Sequence, residues 1–276
     1  MKHILIALMM VSAVALAKDK VDFAQGQSLY NQGQYKEAAD FFVDATKSAD
    51  SKTKPEALLW LGRSLDKYAE QVNNDAEQEC YRKKGSPKTP ACMGQYAEKM
   101  NAHYGAGAFQ FFPTQIIIRY MGTHYQQVAT DYPKSDAAAE AAYFQLEKNL
   151  LGAPEDVLGR VQDYINKYKG EWNLKARLLY ARLNEDIWWI HRKWAWMLYN
   201  GSVAEDELIV RGEKYRKAAI TAYEELIKKA GSSDVGKTAR TELANVKNNV
   251  DDGILYGIVS DAVTSGDVGF QRKRDK

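Results

Sequence analysis

Gln25-Gly26-Gln27-Ser28-Leu29 and Leu61-Gly62-Arg63-Ser64-Leu65 say nearly the same thing 36 residues apart in a chain of 276. Between them, Gly33-Gln34-Tyr35 leads to Ala38, Phe42 and Ala45 at spacings of three to four residues. Residues 22–31 and 35–47 therefore read as an antiparallel helix pair. Phe23, Gly26, Leu29 and Tyr30 recur at helical spacing in the first helix, and Tyr35, Ala38, Phe42 and Ala45 in the second. Gly33 sits at the turn, where a residue tolerating positive φ is wanted. Small Gly26 and Ala38 let two backbones approach closely, and Phe42 fills the space between pairs. A period in the mid-thirties predicts helix pairs that stack. Such units share one interior along the array and present a broad curved surface.

On these residues the chain resembles the tetratricopeptide repeat family. Gly26 takes the small position of the first helix and Tyr35 the aromatic after the turn. Ala38, Phe42 and Ala45 take the remaining signature positions, and the pattern restarts at Pro55 with Leu58, Leu61, Gly62 and Leu65. Where the family has an aromatic early in its first helix, this chain has Asp22 and Leu58. The resemblance implies an all-α, helical-hairpin solenoid whose concave face is lined by first-helix side chains.

A second dialect follows. His124-Tyr125-Gln126-Gln127-Val128 leads to Asp131-Tyr132-Pro133-Lys134-Ser135 and an alanine-rich stretch through Tyr143. Tyr164 to Lys167 with Tyr168, and Tyr223 to Ile227 with Ser232-Ser233, are cousins. Each reads as a helix end, a polar cap and a new alanine-rich helix, with Ser135 and Ser233 as N-cap residues. These corners resemble the repeats of periplasmic envelope-assembly scaffolds, such as the lipoprotein of the β-barrel assembly machine and the coordinator of the Tol–Pal system. Only Tyr132-Pro133-Lys134-Ser135 matches the aromatic-Pro-x-Ser corner fully.

Residues 1–17 are set apart from the fold. Lys2 and His3 precede the uncharged run Ile4 to Val14, and Ala15-Leu16-Ala17 supplies the small residues a signal peptidase needs. The expectation is export to the periplasm with cleavage after Ala17. No later apolar run is long enough to span a membrane. In an oxidising compartment the only two cysteines, Cys80 and Cys92, favour a disulfide. Their spacing matches neither a zinc knuckle nor a haem-attachment motif. The expected organisation is then 18–70 N-terminal helices, 71–112 an irregular insertion closed by the disulfide, and 113–250 the resumed array. Residues 251–276 would form a short helix and a loose basic tail. Within the insertion, a helix is expected over Met93–Tyr104, and 108–112 should pack back on the array.

Two surfaces are candidates for partner binding. The repeat register puts Phe23, Gln27 and Tyr30 on the concave face, followed by Leu59, Arg63, Phe144 and Lys148. Apolar residues there would supply affinity, and Arg63 and Lys148 would pair with a peptide's carboxylates or carbonyls. Phe23 and Leu59 equally suit packing on a neighbouring repeat. The second candidate is the helix Arg177–Tyr199, with Ile187, Ile190, Trp194 and Met197 as its core stripe. Trp189 and Trp196 would project elsewhere beside Arg192 and Lys193, to meet a protein or glycan. A helix this apolar is otherwise one that the array covers on both sides.

Catalysis finds no motif. His103, His124 and His191 lack metal spacing, and no nucleophile elbow or phosphate-cradling loop occurs. Glu185-Asp186 reads as solvated charge, because adjacent residues on a helix diverge. No cofactor or metal is expected. Removing Lys2 with the leader leaves 37 of the 38 basic residues against 36 acidic ones, a formal charge of +1. That balance argues against nucleic acid as a partner. The reading is a non-enzymatic exported scaffold that binds another envelope protein or peptide segment. Its rival is a peptidoglycan-binding or enzyme-associated helical module using the tryptophan-rich helix, and self-association is a third option.

Overall fold

The computed structural model describes residues 22–82, 90–150, 152–199 and 201–250, without the side chains of 81–82 and 194–199. The expected leader 1–17, the expected short helix and tail of 251–276 and the ring of Trp196 lie outside the described residues. The fold is all-α, with ten helices and one two-stranded hairpin among the described residues. Helices α1 (Ala24–Asn31) and α2 (Tyr35–Ser48) form the first antiparallel pair, turning at Gly33 with φ +78°. Helix α3 (Lys54–Glu77) begins with Pro55 in its first turn, where a missing N–H costs nothing.

Close approach governs how these helices meet. Gly26 of α1 is buried, and a Cβ there would fall 2.6 Å from the Phe42 ring of α2. Gly62 of α3 receives the Tyr125 ring in the same manner, at 2.5 Å from such a Cβ. Tyr125 belongs to helix α5 (Thr123–Asp131). The two glycines of the quoted repeat thus play one role, each seating an aromatic of the following helix. The second pair is α3 with α5, and everything between 78 and 120 is an elaboration inside that pair.

This elaboration is more ordered than the irregular insertion expected over 71–112. α3 runs on through 71–77 because Leu65, Tyr68, Val72 and Ala76 continue its buried stripe. A single π-helical turn (Gln78–Arg82) follows, then helix α4 (Pro90–Tyr104). The Cys80–Cys92 disulfide joins the π turn to α4. Strands β1 (Phe109–Phe112) and β2 (Ile117–Tyr120) pair antiparallel, Phe109 opposite Tyr120. Period-two alternation shows at the paired end of the hairpin: Phe109, Ile118 and Tyr120 are buried while Gln110 and Arg119 face water.

Two asparagines close the hairpin's open edges. Asn101 of α4 accepts from the Phe109 N–H at 2.7 Å and donates to its carbonyl at 3.0 Å. Asn73 of α3 does the same for Ile118, both contacts at 2.7 Å. Edge backbone groups that would otherwise be unpaired are satisfied by side chains. On the buried side, the Tyr120 hydroxyl lies 3.0 Å from His124 Nδ1 of α5.

Beyond α5 the chain continues as α6 (Ala138–Lys148), α7 (Pro154–Lys167), α8 (Glu171–Tyr199), α9 (Val203–Ala230) and α10 (Asp234–Lys247). Successive helices are neighbours, and α8 also touches α6 and α10. Ser233 caps α10 by accepting from the Gly236 N–H at 3.2 Å. Ser135 does not cap α6: its hydroxyl donates to the Tyr132 carbonyl at 2.8 Å, and the helix starts three residues later. The interior divides into two apolar clusters, one from Phe23 to Ala141 and one from Tyr143 to Val246. Phe144 packs against both, so α6 is the seam.

Gly62→Ala should destabilise the protein by about 1–3 kcal/mol, because a buried tyrosine ring has nowhere to move. Gly159→Ala in α7, where no atom lies within 4 Å of the added Cβ, should stabilise by about 0.5–1 kcal/mol. Urea denaturation of the two variants checks the contrast. His124 is a second target, since burial pushes its pKa down from 6.5 to about 4. A depressed histidine contributes stability that is present above pH 6.5 and lost as pH falls through 4. The loss should be on the order of 3 kcal/mol across that window. His124→Gln, which still offers an acceptor to the Tyr120 hydroxyl, should flatten that part of the denaturation profile between pH 7 and pH 4.

Candidate functional site: an aromatic and cationic strip across the first helices

Helices α1, α3, α6 and α8 are the first members of successive pairs, and one row of side chains crosses all four. Tyr30 of α1 meets the Trp60 ring of α3 edge-on, with centroids 5.5 Å apart. The Arg63 guanidinium lies 4.4 Å from the Trp60 centroid and 6.0 Å from that of Phe144 on α6. Phe144 meets Trp172 of α8 at 5.2 Å, and the Lys175 ammonium sits 3.7 Å from the Trp172 centroid. Each of these residues is half-buried, neither sealed in the core nor free in water. The result is a continuous surface of part-open rings and cations.

Local sequence explains the row. Trp60 with Arg63, and Trp172 with Lys175, are three apart on a helix, so each pair shares a face. A cation over an indole face is held by the ring quadrupole. Trp60 also stacks on Phe42 at 5.9 Å and 14°, which fixes its plane. A tryptophan followed three residues on by a cation occurs at Trp60–Arg63, Trp172–Lys175 and Trp189–Arg192, and the first two are the signal that would have drawn Trp60, Trp172 and Lys175 into the predicted site.

The cations are already engaged, which corrects the expectation that they wait for a partner's carboxylates. Arg63 is ion-paired with Glu140 of α6, and Lys148 of α6 with Asp66 of α3. The two bridges run in opposite directions across the α3–α6 seam. Lys175 pairs with Glu171 at 2.8 Å on its own helix. Burial lowers the Arg63 pKa. Burial also raises that of Tyr30, and the nearby guanidinium only partly offsets the rise.

Two expected groove residues belong to the core instead. Phe23, at 9% exposure, packs its ring 6.1 Å from Phe42, and Leu59 is 5% exposed. Gln27, Tyr30 and Phe144 remain half-open. The expected register fails at these positions because Phe23 packs on Phe42 of α2 and Leu59 joins the same apolar cluster.

As far as Lys193, the tryptophan-rich helix is enclosed by its neighbours. Trp189, expected to project, is 9% exposed and packed on Trp188 with centroids 4.3 Å apart. Arg192 lies 5.6 Å from each of those two ring centroids, and Lys193 is likewise half-buried. Trp189 offers no open face to a sugar. Glu185 and Asp186, expected to be solvated, are 2% and 0% exposed. Glu185 accepts from the buried Tyr223 hydroxyl of α9 at 2.6 Å, and burial drives the tyrosine pKa far up. One turn away, Arg182 donates to both oxygens of Glu242 on α10, the shortest contact being 2.7 Å. These groups fasten α8 to its neighbours. Among the described residues no cluster of three or more His, Cys, Asp or Glu is arranged to hold a metal ion, and no helix is long and apolar enough to cross a membrane.

Arg63→Glu should lower stability by about 1–3 kcal/mol, because it faces Glu140 with a second carboxylate at a half-buried site. The exchange Arg63→Glu with Glu140→Arg should recover part of that loss, read as a double-mutant cycle by chemical denaturation. No protein-family model matches this chain and no curated protein matches it in sequence, so what the strip can do follows from its own geometry.

Proposed function

We propose that this chain is an exported, non-enzymatic scaffold of the tetratricopeptide kind that holds a segment of another envelope protein against its first-helix face. The observation that carries the reading is the strip from Tyr30 through Trp60, Arg63 and Phe144 to Trp172 and Lys175. Half-open aromatics set in a rigid array are suited to anchor side chains of a bound segment. The cations along the strip are neutralised internally, so rings dominate over net charge. The segment that fits is therefore apolar and aromatic in character, and its binding depends weakly on salt.

The test is selection from a random-peptide display library on the purified mature protein. Enriched peptides should carry aromatic or aliphatic anchors, and Trp172→Ala should weaken them by about tenfold or more. Helical circular dichroism of that variant should stay unchanged. Undiminished peptide binding by Trp172→Ala would remove the strip from the account. Among the described residues, the peptidoglycan reading would use the same half-open indole, since Trp189 is closed. Sedimentation of the wild type, but not of Trp172→Ala, with cell-wall sacculi would favour it over a peptide ligand.

A further inference from the structure

Helix α3 has a second working surface. Lys54, Leu58 and Leu61 lie roughly 200° around the helix from Trp60 and Arg63, on the side away from the strip. They line a cleft of about 310 Å³ between α2, α3, the end of α4 and α5. That volume sits at the small end of the range for ligand pockets, roughly 300–1,000 Å³.

The chemistry of the walls is one-sided. Val43, Leu58 and Leu61 are buried core side chains and make the floor apolar. Lys47, Lys54 and His103 bring nitrogen groups to the lining, and none of the lining residues is acidic. The carboxylates that contact lining residues Lys47, His103 and Tyr104 lie outside the cleft and are occupied. Asp44 is paired with Lys47 at 2.8 Å. Asp40 is held by Lys36 at 2.7 Å, by His103 at 2.8 Å and by the Tyr104 hydroxyl at 2.8 Å. Lys54 has no ion pair among the described residues, although it stands at the edge of an apolar floor. His124 forms part of the inner wall as a neutral imidazole held by the Tyr120 hydroxyl and the Tyr104 backbone, so it adds no charge.

A cation without a counter-ion beside an apolar floor of this size fits one ligand chemistry. We propose that the cleft binds a small carboxylate carried on a short apolar body, the body resting on Val43, Leu58 and Leu61 and the carboxylate on Lys54. Lys47 and His103 stand beside the cleft but are paired with Asp44 and Asp40, so Lys54 is the cation the carboxylate meets. Burial of the apolar body supplies affinity, and the charge-assisted contact to Lys54 selects the acid over its neutral analogue. This site is independent of the strip, and either can fail without the other.

The test titrates the ¹⁵N-labelled full chain with hexanoate, hexanamide and inorganic phosphate. Hexanoate should shift the backbone amides of Val43, Leu58 and Leu61 with a roughly millimolar Kd. Hexanamide and phosphate should each bind about tenfold more weakly or worse. Lys54→Glu should weaken hexanoate by at least about tenfold, and Lys54→Arg should retain it. An acidic residue in the first turn of α3 is compatible with the helix dipole, so Lys54→Glu should fold. Lys54→Met, which keeps the stem and drops the charge, gives the same reading independently. Equal binding of hexanamide would show an apolar hollow without acid recognition. Equal binding of phosphate would show a plain surface cation. Unchanged hexanoate binding in both Lys54→Glu and Lys54→Met, or shifts confined to other residues, would equally overturn the proposal.

Discussion

The fold depends on a ring being admitted where a side chain is missing. At Gly26 the Phe42 ring, and at Gly62 the Tyr125 ring, occupies space that any Cβ would claim. Helices with side chains at the contact keep their axes about 8–10 Å apart. A glycine facing an aromatic lets them come to the near end of that range while the ring fills the volume on either side. At Gly212 of α9 the missing side chain serves close helix approach instead, since a Cβ would fall 2.9 Å from that of His191 on α8. Because each contact is made between neighbours, the interior extends along the molecule instead of gathering at one centre. The elaboration 78–120 is tolerated for this reason: it enters between α3 and α5 without disturbing the glycine–ring contact that joins them.

An interior built from neighbour contacts has seams, and the seam at α6 shows how charge is used here. Ala141 belongs to the first apolar cluster and Tyr143 to the second, with Phe144 touching both. Across the same boundary Arg63 reaches Glu140 and Lys148 reaches Asp66. Partly buried ion pairs of opposite sense resist sliding in either direction, because one slip separates both. A surface pair would contribute little. Here Arg63 is also covered by Trp60, so desolvation strengthens what the geometry fixes. Cations that looked like bait for a ligand are part of the joint, and the rings beside them are what the face still offers.

How much of this could be read from the chain follows the range of each interaction. The Gly33 turn, the Ser233 cap and the Gly26–Phe42 spacing are local, and periodicity exposes them, whereas Gly62 and the Tyr125 ring it seats are 63 residues apart. Ser135 looked identical to Ser233 as a cap, yet its hydroxyl turned back to Tyr132, a choice set by where α6 is packed. Arg63 and Glu140 are 77 residues apart, and no spacing rule links them. The hairpin was equally hidden, since Asn73 and Asn101 read as ordinary polar positions until the strand edges they satisfy are in place. Trp189 was misplaced for a geometric reason: a helical wheel assigns one buried face, whereas α8 is covered from several directions.

That coverage explains why charge is buried on α8. Where a helix is enclosed by apolar neighbours alone, rotations and register shifts exchange one hydrophobic contact for another at small cost. Arg182 and Glu185 change this, because each answers a different neighbour: Glu242 on α10 for one, Tyr223 on α9 for the other. Moving α9 or α10 by a turn would strand a buried charge, at a cost of several kcal/mol. Adjacent Asp186 is as deeply enclosed. Two carboxylates side by side, sealed from solvent and tied to structural partners, are poor material for chemistry on a substrate and good material for specifying which helix lies where. The longest of the described helices therefore carries buried polar contacts to two different neighbours, and its role is to be addressed correctly by the helices packed around it.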